Sequence, residues 1–177
     1  MHAALRLTVS DLVVDRGGRR VLDGVGFGVA AGGAVTVTGP NGSGKSTLLR
    51  TLAGLVRRLS GEIALHGAGE DGVPEQAHYV GHHDALKPQL TVIENIAFWA
   101  DVMTGRRSDP LDALARLVAI ERPVWLLDEP TTAIDAASER ALIALIEAHR
   151  AAGGLVVAAT HAPLGLEGAA ALRLEPA

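Results

Sequence analysis

From Leu5 to Val14 apolar and polar residues alternate, with Leu5, Leu7 and Val9 and then Leu12 and Val14 spaced as a half-buried strand requires. Gly17-Gly18 is a turn, Arg20 to Val29 resumes the strand pattern, and Ala31-Gly32-Gly33 turns again. Ala34 to Thr38 is a short β-branched run suited to a buried strand, and behind a glycine-rich loop Leu48, Leu49, Leu52, Leu55 and Val56 recur at helical spacing. Ile63 and Leu65 mark a further alternating strand, Ala68 to Pro74 reads as a loop, and Ala77 to Gly81 as a strand. Apolar positions at Val92, Ile93, Ile96, Ala97, Trp99 and Ala100 predict a helix, with Thr91 and Glu94 forming a capping box at its start. Gly105 to Pro110 breaks that helix, and Leu111, Leu114, Ala115, Leu117 and Val118 form a second amphipathic segment ending before Pro123. Val124 to Leu127 is an apolar strand. A helix then runs through Leu142, Leu145, Ile146 and His149 to Gly153-Gly154, and Leu155 to Thr160 is one more buried, parallel-type strand.

Length and charge narrow this outline. The 177 residues suit a single domain, 1–177, with a real core. A net charge of −4 argues against a broad nucleic-acid footprint, which needs a concentrated basic surface, and Arg19-Arg20, Arg57-Arg58 and Arg106-Arg107 are scattered pairs. Without cysteine there is no disulfide and no thiolate metal site, which fits a reducing compartment. Asp11, Asp15 and Arg16 interrupt the apolar residues that a signal peptide would need. Gly24 to Gly44 lacks Asp, Glu, Lys and Arg over a membrane-spanning length, but its glycines and Pro40 make it a poor helix. The chain is expected to be soluble, with any membrane contact made through partners.

The chemistry centres on Gly39-Pro40-Asn41-Gly42-Ser43-Gly44-Lys45-Ser46-Thr47, which fits G-x-x-x-x-G-K-[ST] at every fixed position. Gly39, Gly42 and Gly44 let backbone N–H groups turn inward on an anion where a Cβ would obstruct. Lys45 supplies a mobile positive charge for the outer phosphates of a nucleoside triphosphate. Ser46 offers a hydroxyl to Mg²⁺, and the helix starting near Lys45 aims its positive dipole end at the same place.

The strand Val124 to Leu127 runs directly into Asp128-Glu129. Beside a phosphate loop that pair has distinct work: Asp128 holds Mg²⁺ through water, and Glu129 orients and deprotonates an attacking water. His82 and His83 beside Asp84 suggest a metal site, but adjacent side chains on an extended segment point to opposite sides and do not share one ion. His161 follows the last strand after Thr160.

Together these motifs resemble the ATP-binding subunits of ABC transporters over most of the chain. The resemblance implies an α/β P-loop NTPase fold: a RecA-like parallel sheet flanked by helices, an N-terminal antiparallel β subdomain, and a truncated helical subdomain over approximately 84–122. It implies that Arg16 occupies the position that usually stacks an aromatic ring on adenine, although an exposed turn arginine accounts for it equally. His82 matches the glutamine that links Mg²⁺ and water to the membrane subunits. A histidine there titrates near neutral pH, so coupling is expected to weaken on acidification. Thr131 to Asp135 resembles the dimer-contact loop, with Asp135 the matching carboxylate or simply the cap of the next helix. His161 resembles the switch histidine that contacts the γ-phosphate and orients the catalytic carboxylate.

More narrowly, Tyr79-Val80-Gly81-His82-His83-Asp84-Ala85-Leu86-Lys87-Pro88, the run Thr91 to Trp99 and the short tail after His161 resemble the ATP-binding subunits of cytochrome c biogenesis haem exporters. That resemblance implies ATP and Mg²⁺ as ligands, a homodimer of ATP-binding subunits, membrane-spanning partner subunits, no nucleic acid, and a peripheral place on the cytoplasmic face of the bacterial inner membrane.

One departure matters. The span from His82 to Asp128 is short by a few tens of residues against the family, and no Leu-Ser-x-Gly-Gln signature lies within it. Leu59-Ser60-Gly61-Glu62 imitates the start of that signature but precedes a strand, whereas the signature opens a helix whose N–H groups face a phosphate. Without the signature the far side of the γ-phosphate lacks its donors. The expectation is ATP binding with weak or absent hydrolysis. The alternatives are a nucleotide-binding module that no longer hydrolyses ATP, and a P-loop kinase whose only lid candidates are Arg106 and Arg107.

Overall fold

The computed structural model describes residues 5–81, 122–132, 136–161 and 164–176. The first two strands form a long hairpin, β1 (Arg6–Arg16) and β2 (Arg19–Ala30), closed by Gly17-Gly18 with φ of 57° and 75°. Those values require the left-handed region that glycine enters without a Cβ penalty. β4 (Ser60–His66) lies antiparallel on the other side of β1, giving a three-stranded sheet in the order β2-β1-β4. The Leu-Ser-Gly-Glu run therefore enters a strand, as its alternation predicts.

The strands of the second sheet are β3 (Ala34–Thr38), β5 (Ala77–Val80), β6 (Val124–Asp128), β7 (Leu155–Ala159) and β8 (Ala170–Arg173). They are parallel throughout, in the order β5-β6-β7-β3-β8. Residue parity divides its two faces. Val35, Val37, Val124, Leu126, Leu155, Val157 and Ala159 pack with Leu48, Leu49 and Leu52 of α1 (Lys45–Leu52), and this cluster continues into Leu7, Leu12, Val14 and Leu22 of the antiparallel sheet. Ala34, Leu127, Val156 and Ala158 face the other way, onto Ile146 of α3 (Ala136–Ala151) and onto Leu164 and Leu166. All five residues of β7 are buried, because both faces of that central strand are covered. α1 is thus held between two sheets, and its N-terminus has a fixed direction.

Two boundaries differ from the pattern-based expectation. Helical spacing carries on to Leu55 and Val56, yet α1 stops at Leu52 and Leu55 is 65% exposed. Gly54 at φ 73° donates to the Thr51 carbonyl, and Leu55 N–H turns back 2.8 Å to the Arg50 carbonyl. That is a Schellman termination, and its left-handed glycine outweighs the apolar period. The expected loop at Ala68 to Pro74 ends inside a single helical turn, α2 (Val73–Gln76), whose second residue is proline. The predicted helix over Leu90–Met103 and the segment after it lie outside the described residues.

Candidate functional site

Register places the site. Val37 of β3 and Asp128 of β6 both align with Ala159 of β7, so three neighbouring strands finish in one row. The residues that follow each strand, the Gly39–Lys45 loop, Glu129, and Thr160-His161, therefore emerge at the same sheet edge. In open α/β sheets this carboxyl edge is where ligands bind.

The loop from β3 to α1 is shaped by its glycines, partly for reasons other than those expected. A Cβ on Gly39 (φ 146°) would collide with the Leu174 carbonyl and come 2.7 Å from Ser43 Oγ. One on Gly44 (φ 96°) would strike Leu22 Cδ2 at 2.7 Å and the Val21 carbonyl at 3.0 Å. These two glycines admit the protein's own β8 end and β2. Only Gly42 (φ 83°), exposed at the tip beside Pro40 and Asn41, has open space around it.

Within the loop Lys45 is 7% exposed, and its Nζ donates to the Gly39 carbonyl at 2.9 Å and the Pro40 carbonyl at 3.2 Å. The ammonium is stored at the place where phosphate oxygens would replace those carbonyls. Ser43 Oγ is buried without a hydrogen-bond partner, and the first turn of α1 carries no acidic residue. An orphan hydroxyl, a buried cation and an unopposed helix N-terminus suit an anion. Thr47 is buried in the first turn of α1, where its carbonyl accepts the Thr51 hydroxyl at 2.7 Å.

Ser46 Oγ donates to Asp128 Oδ1 at 3.0 Å, and Asp128 is 3% exposed. A hydroxyl beside a carboxylate is a hard-oxygen donor pair of the kind Mg²⁺ takes, since that ion keeps several waters and needs few protein ligands. Two contacts here were not expected from the sequence patterns. Tyr79 Oη lies 3.4 Å from Asp128 Oδ2, and Arg50 Nε donates to Tyr79 Oη at 3.2 Å. Burial is the main cause that raises the Tyr79 phenol above its ordinary range, so the hydroxyl keeps its proton at neutral pH. A signal was available: Arg50 sits four residues after Ser46, on the same face of α1.

Glu129 has φ 53°, in the left-handed region that costs a non-glycine residue roughly 1–2 kcal/mol. Such strain concentrates where a side chain must be aimed. Its backbone N–H donates to the Ala159 carbonyl at 2.9 Å. Oε2 accepts the His161 backbone N–H at 3.3 Å, while Oε1 lies 3.2 Å from His161 Nε2 without hydrogen-bond alignment and is otherwise buried and unpartnered. The expected pairing of Glu129 with His161 is therefore present in space.

Arg16 stands exposed at the end of β1, in register with Arg19, on the hairpin whose second strand rests against Gly44. His82 and Asp135 lie outside the described residues, as do His83, Asp84, Arg106 and Arg107. Among the described residues no group of three or more His, Cys, Asp or Glu side chains could hold a metal ion, and no helix is long and apolar enough to cross a membrane.

Comparison with known proteins gives this geometry its context. A family model described as ABC transporter matches residues 22–113. The cytochrome c biogenesis ATP-binding export protein CcmA of Nitrobacter winogradskyi is 45% identical over 189 residues, covering 92% of this chain and 94% of that protein. The protein of the same name from Mesorhizobium japonicum is 42% identical over 195 residues, covering 93% and 96%. A solved structure described as the ATP-binding subunit of an ABC transporter superposes with a TM-score of 0.65 at 26% identity, covering 88% of this chain and 79% of that one. The first alignment exceeds the whole chain by 12 positions (189 − 177), so that relative carries residues with no counterpart here.

Proposed function

This chain belongs to the ABC transporter family, and we propose that within it the protein is the ATP-binding subunit of an exporter serving cytochrome c biogenesis, with haem as the exported cargo. The observation that carries the nucleotide part is the common row of strand ends, which gathers Lys45, Ser46, Asp128, Glu129 and His161 at one edge. The names of the relatives support the export role in cytochrome c biogenesis, and haem as cargo rests on the resemblance of the run from Tyr79 to Pro88 to haem-exporter ATP-binding subunits.

In this reading the loop N–H groups and Lys45 hold the outer phosphates, Arg16 lies toward the base, and Ser46 with Asp128 holds Mg²⁺. The ion, when bound, offsets the negative charge of the phosphates. Glu129 Oε1 takes a proton from water, and His161 keeps that carboxylate from turning away. On the family resemblance, Asp135 serves the contact with a second copy in a homodimer, and His82 links the nucleotide site to the membrane-spanning subunits. The chain docks peripherally on the cytoplasmic face of the inner membrane through those subunits.

A second reading, binding without turnover, draws support from the missing Leu-Ser-x-Gly-Gln and from alignments longer than the chain. Removing one oriented donor costs ~10²–10³ in rate elsewhere, and here the sequence motif that would supply such donors is missing. The two readings share their first step and part at hydrolysis. Calorimetry of the purified chain with ATP is expected to give Mg²⁺-dependent association that Lys45→Ala abolishes. No association, or association indifferent to Lys45, would overturn both readings; where association depends on Lys45, single-turnover phosphate release separates them.

A further inference from the structure

We infer that Tyr79 is a positioning residue for the metal–nucleotide site: its hydroxyl, itself oriented by Arg50, fixes the rotation of the Asp128 carboxylate so that one oxygen stays on the Ser46 side. This rests on the nucleotide-binding reading and adds a residue that neither the phosphate loop nor the Asp-Glu pair includes.

The contacts form a circuit between α1 and the sheet. Ser46 and Arg50 lie one helical turn apart on the same face of α1. Opposite them, Tyr79 aligns with Leu126 of β6, so Asp128, two residues further on, projects from the same face of the sheet as Tyr79. Ser46 Oγ takes Oδ1 of Asp128 at 3.0 Å, and Tyr79 Oη takes Oδ2 at 3.4 Å. Arg50 Nε donates to Tyr79 Oη at 3.2 Å.

A phenol has one proton to give. With Arg50 supplying a donor to its oxygen, that proton is directed to the remaining acceptor, Asp128 Oδ2. The 3.4 Å separation is long for an O–H···O bond, so the contact steers the carboxylate and leaves Oδ2 capacity for another partner.

The ring is also confined. A Cβ on Gly81 would come 3.0 Å from Tyr79 Oη and 3.1 Å from Cε1, so the chain after β5 passes close to the ring and a side chain there would push the phenol by a few tenths of an ångström.

Partners of metal-binding groups typically set affinity by 10–100-fold, and a contact this long belongs at the lower end. In the full-length chain, Tyr79→Phe is expected to raise the Mg²⁺ concentration for half-maximal ATP association about 10-fold, and to leave more free Mn²⁺, read as a stronger six-line signal in electron paramagnetic resonance, in step. ATP association in EDTA and the melting temperature are expected to stay close to those of the parent. Gly81→Ala, which retains the hydroxyl but displaces it, is expected to shift the metal dependence in the same direction. An unchanged metal dependence in Tyr79→Phe, or an equal loss of association with and without EDTA, overturns the inference while the nucleotide reading stands. No Mg²⁺-dependent association in the parent chain overturns both.

Discussion

Glu129 and His161 meet across the end of the sheet, with Oε1 lying 3.2 Å from Nε2 and Oε2 accepting the His161 backbone N–H at 3.3 Å. The alignment of Asp128 with Ala159 brings them together, because Glu129 follows one partner directly and His161 comes two residues after the other. A carboxylate oxygen that is buried and without a hydrogen bond is a ready proton acceptor. Glu129→Gln is expected to retain Mg-ATP association and to lower whatever single-turnover hydrolysis the chain has by at least about 10²-fold. Equal turnover in the variant and the parent would remove Glu129 from that role.

The three loop glycines are expected to rank by what surrounds them. At Gly42 an alanine meets only its own left-handed backbone, a cost of about 1–2 kcal/mol. Alanine at Gly39 or Gly44 adds overlap with Leu174 and Ser43 or with Leu22 and Val21, about 1–3 kcal/mol more. Thermal melting should therefore fall least for Gly42→Ala and further for Gly39→Ala and Gly44→Ala, at roughly 2–4 °C per kcal/mol for a chain of this size. A Gly42 variant melting lowest would mean that the loop, and not its packing against β2 and β8, limits stability.

The phosphate loop, both strands beside it and the Asp-Glu pair were legible because each is a local pattern: five consecutive residues for β3, five for β6, a fixed spacing for the loop. What was not legible depends on register. Ala170 to Arg173 has no strand signature of its own, yet it pairs in parallel with Val35 to Thr38 as β8, so tertiary context decides its state. Tyr79 reaches Asp128 across 49 positions, and no composition or period in either segment records that. At the end of α1 the apolar spacing outlasts the helix, and the left-handed Gly54 is the stronger signal.

Arg150 ties three parts of the fold at the end of α3. It donates to the Gly32 carbonyl at 3.0 Å, to Glu147 Oε1 at 2.7 Å and to the Glu167 carbonyl at 2.9 Å, with a side chain only 11% exposed. Two of these acceptors are main-chain groups in turns, where a lost donor has no ready substitute other than water. Arg150→Ala is expected to cost about 2 kcal/mol, read as a melting point lowered by roughly 4–8 °C, with ATP association unchanged. Arg150→Lys should recover part of that, because an ammonium reaches one acceptor but lacks the planar fork. A neutral alanine variant would show that the turns hold without the clamp.

On the opposite face of the sheet from the nucleotide edge, the His149 ring stacks on Trp125 with centroids 4.1 Å apart and planes 11° from parallel. A Cβ on Gly154 would overlap that ring, so the glycine after α3 makes room for it. Burial lowers the His149 pKa from its ordinary 6.5, outweighing backbone hydrogen bonding with Leu155 and Pro123 that acts the other way, and His78 adds a small lowering, while Nε2 has no hydrogen-bond partner. The sign follows from linkage. The unfolded chain protonates His149 near its ordinary value and the folded chain only at lower pH, so stability is complete above about pH 6.5 and is lost as the pH falls through the folded pKa. Melting temperature should therefore drop between about pH 7.5 and about pH 5.5, and His149→Phe, which keeps a flat ring on Trp125 but cannot take a proton, should reduce that drop. A pH dependence identical in the two proteins would assign it to other groups, and Gly154→Ala should separately lower the melting point at every pH, since its clash with the ring does not depend on charge.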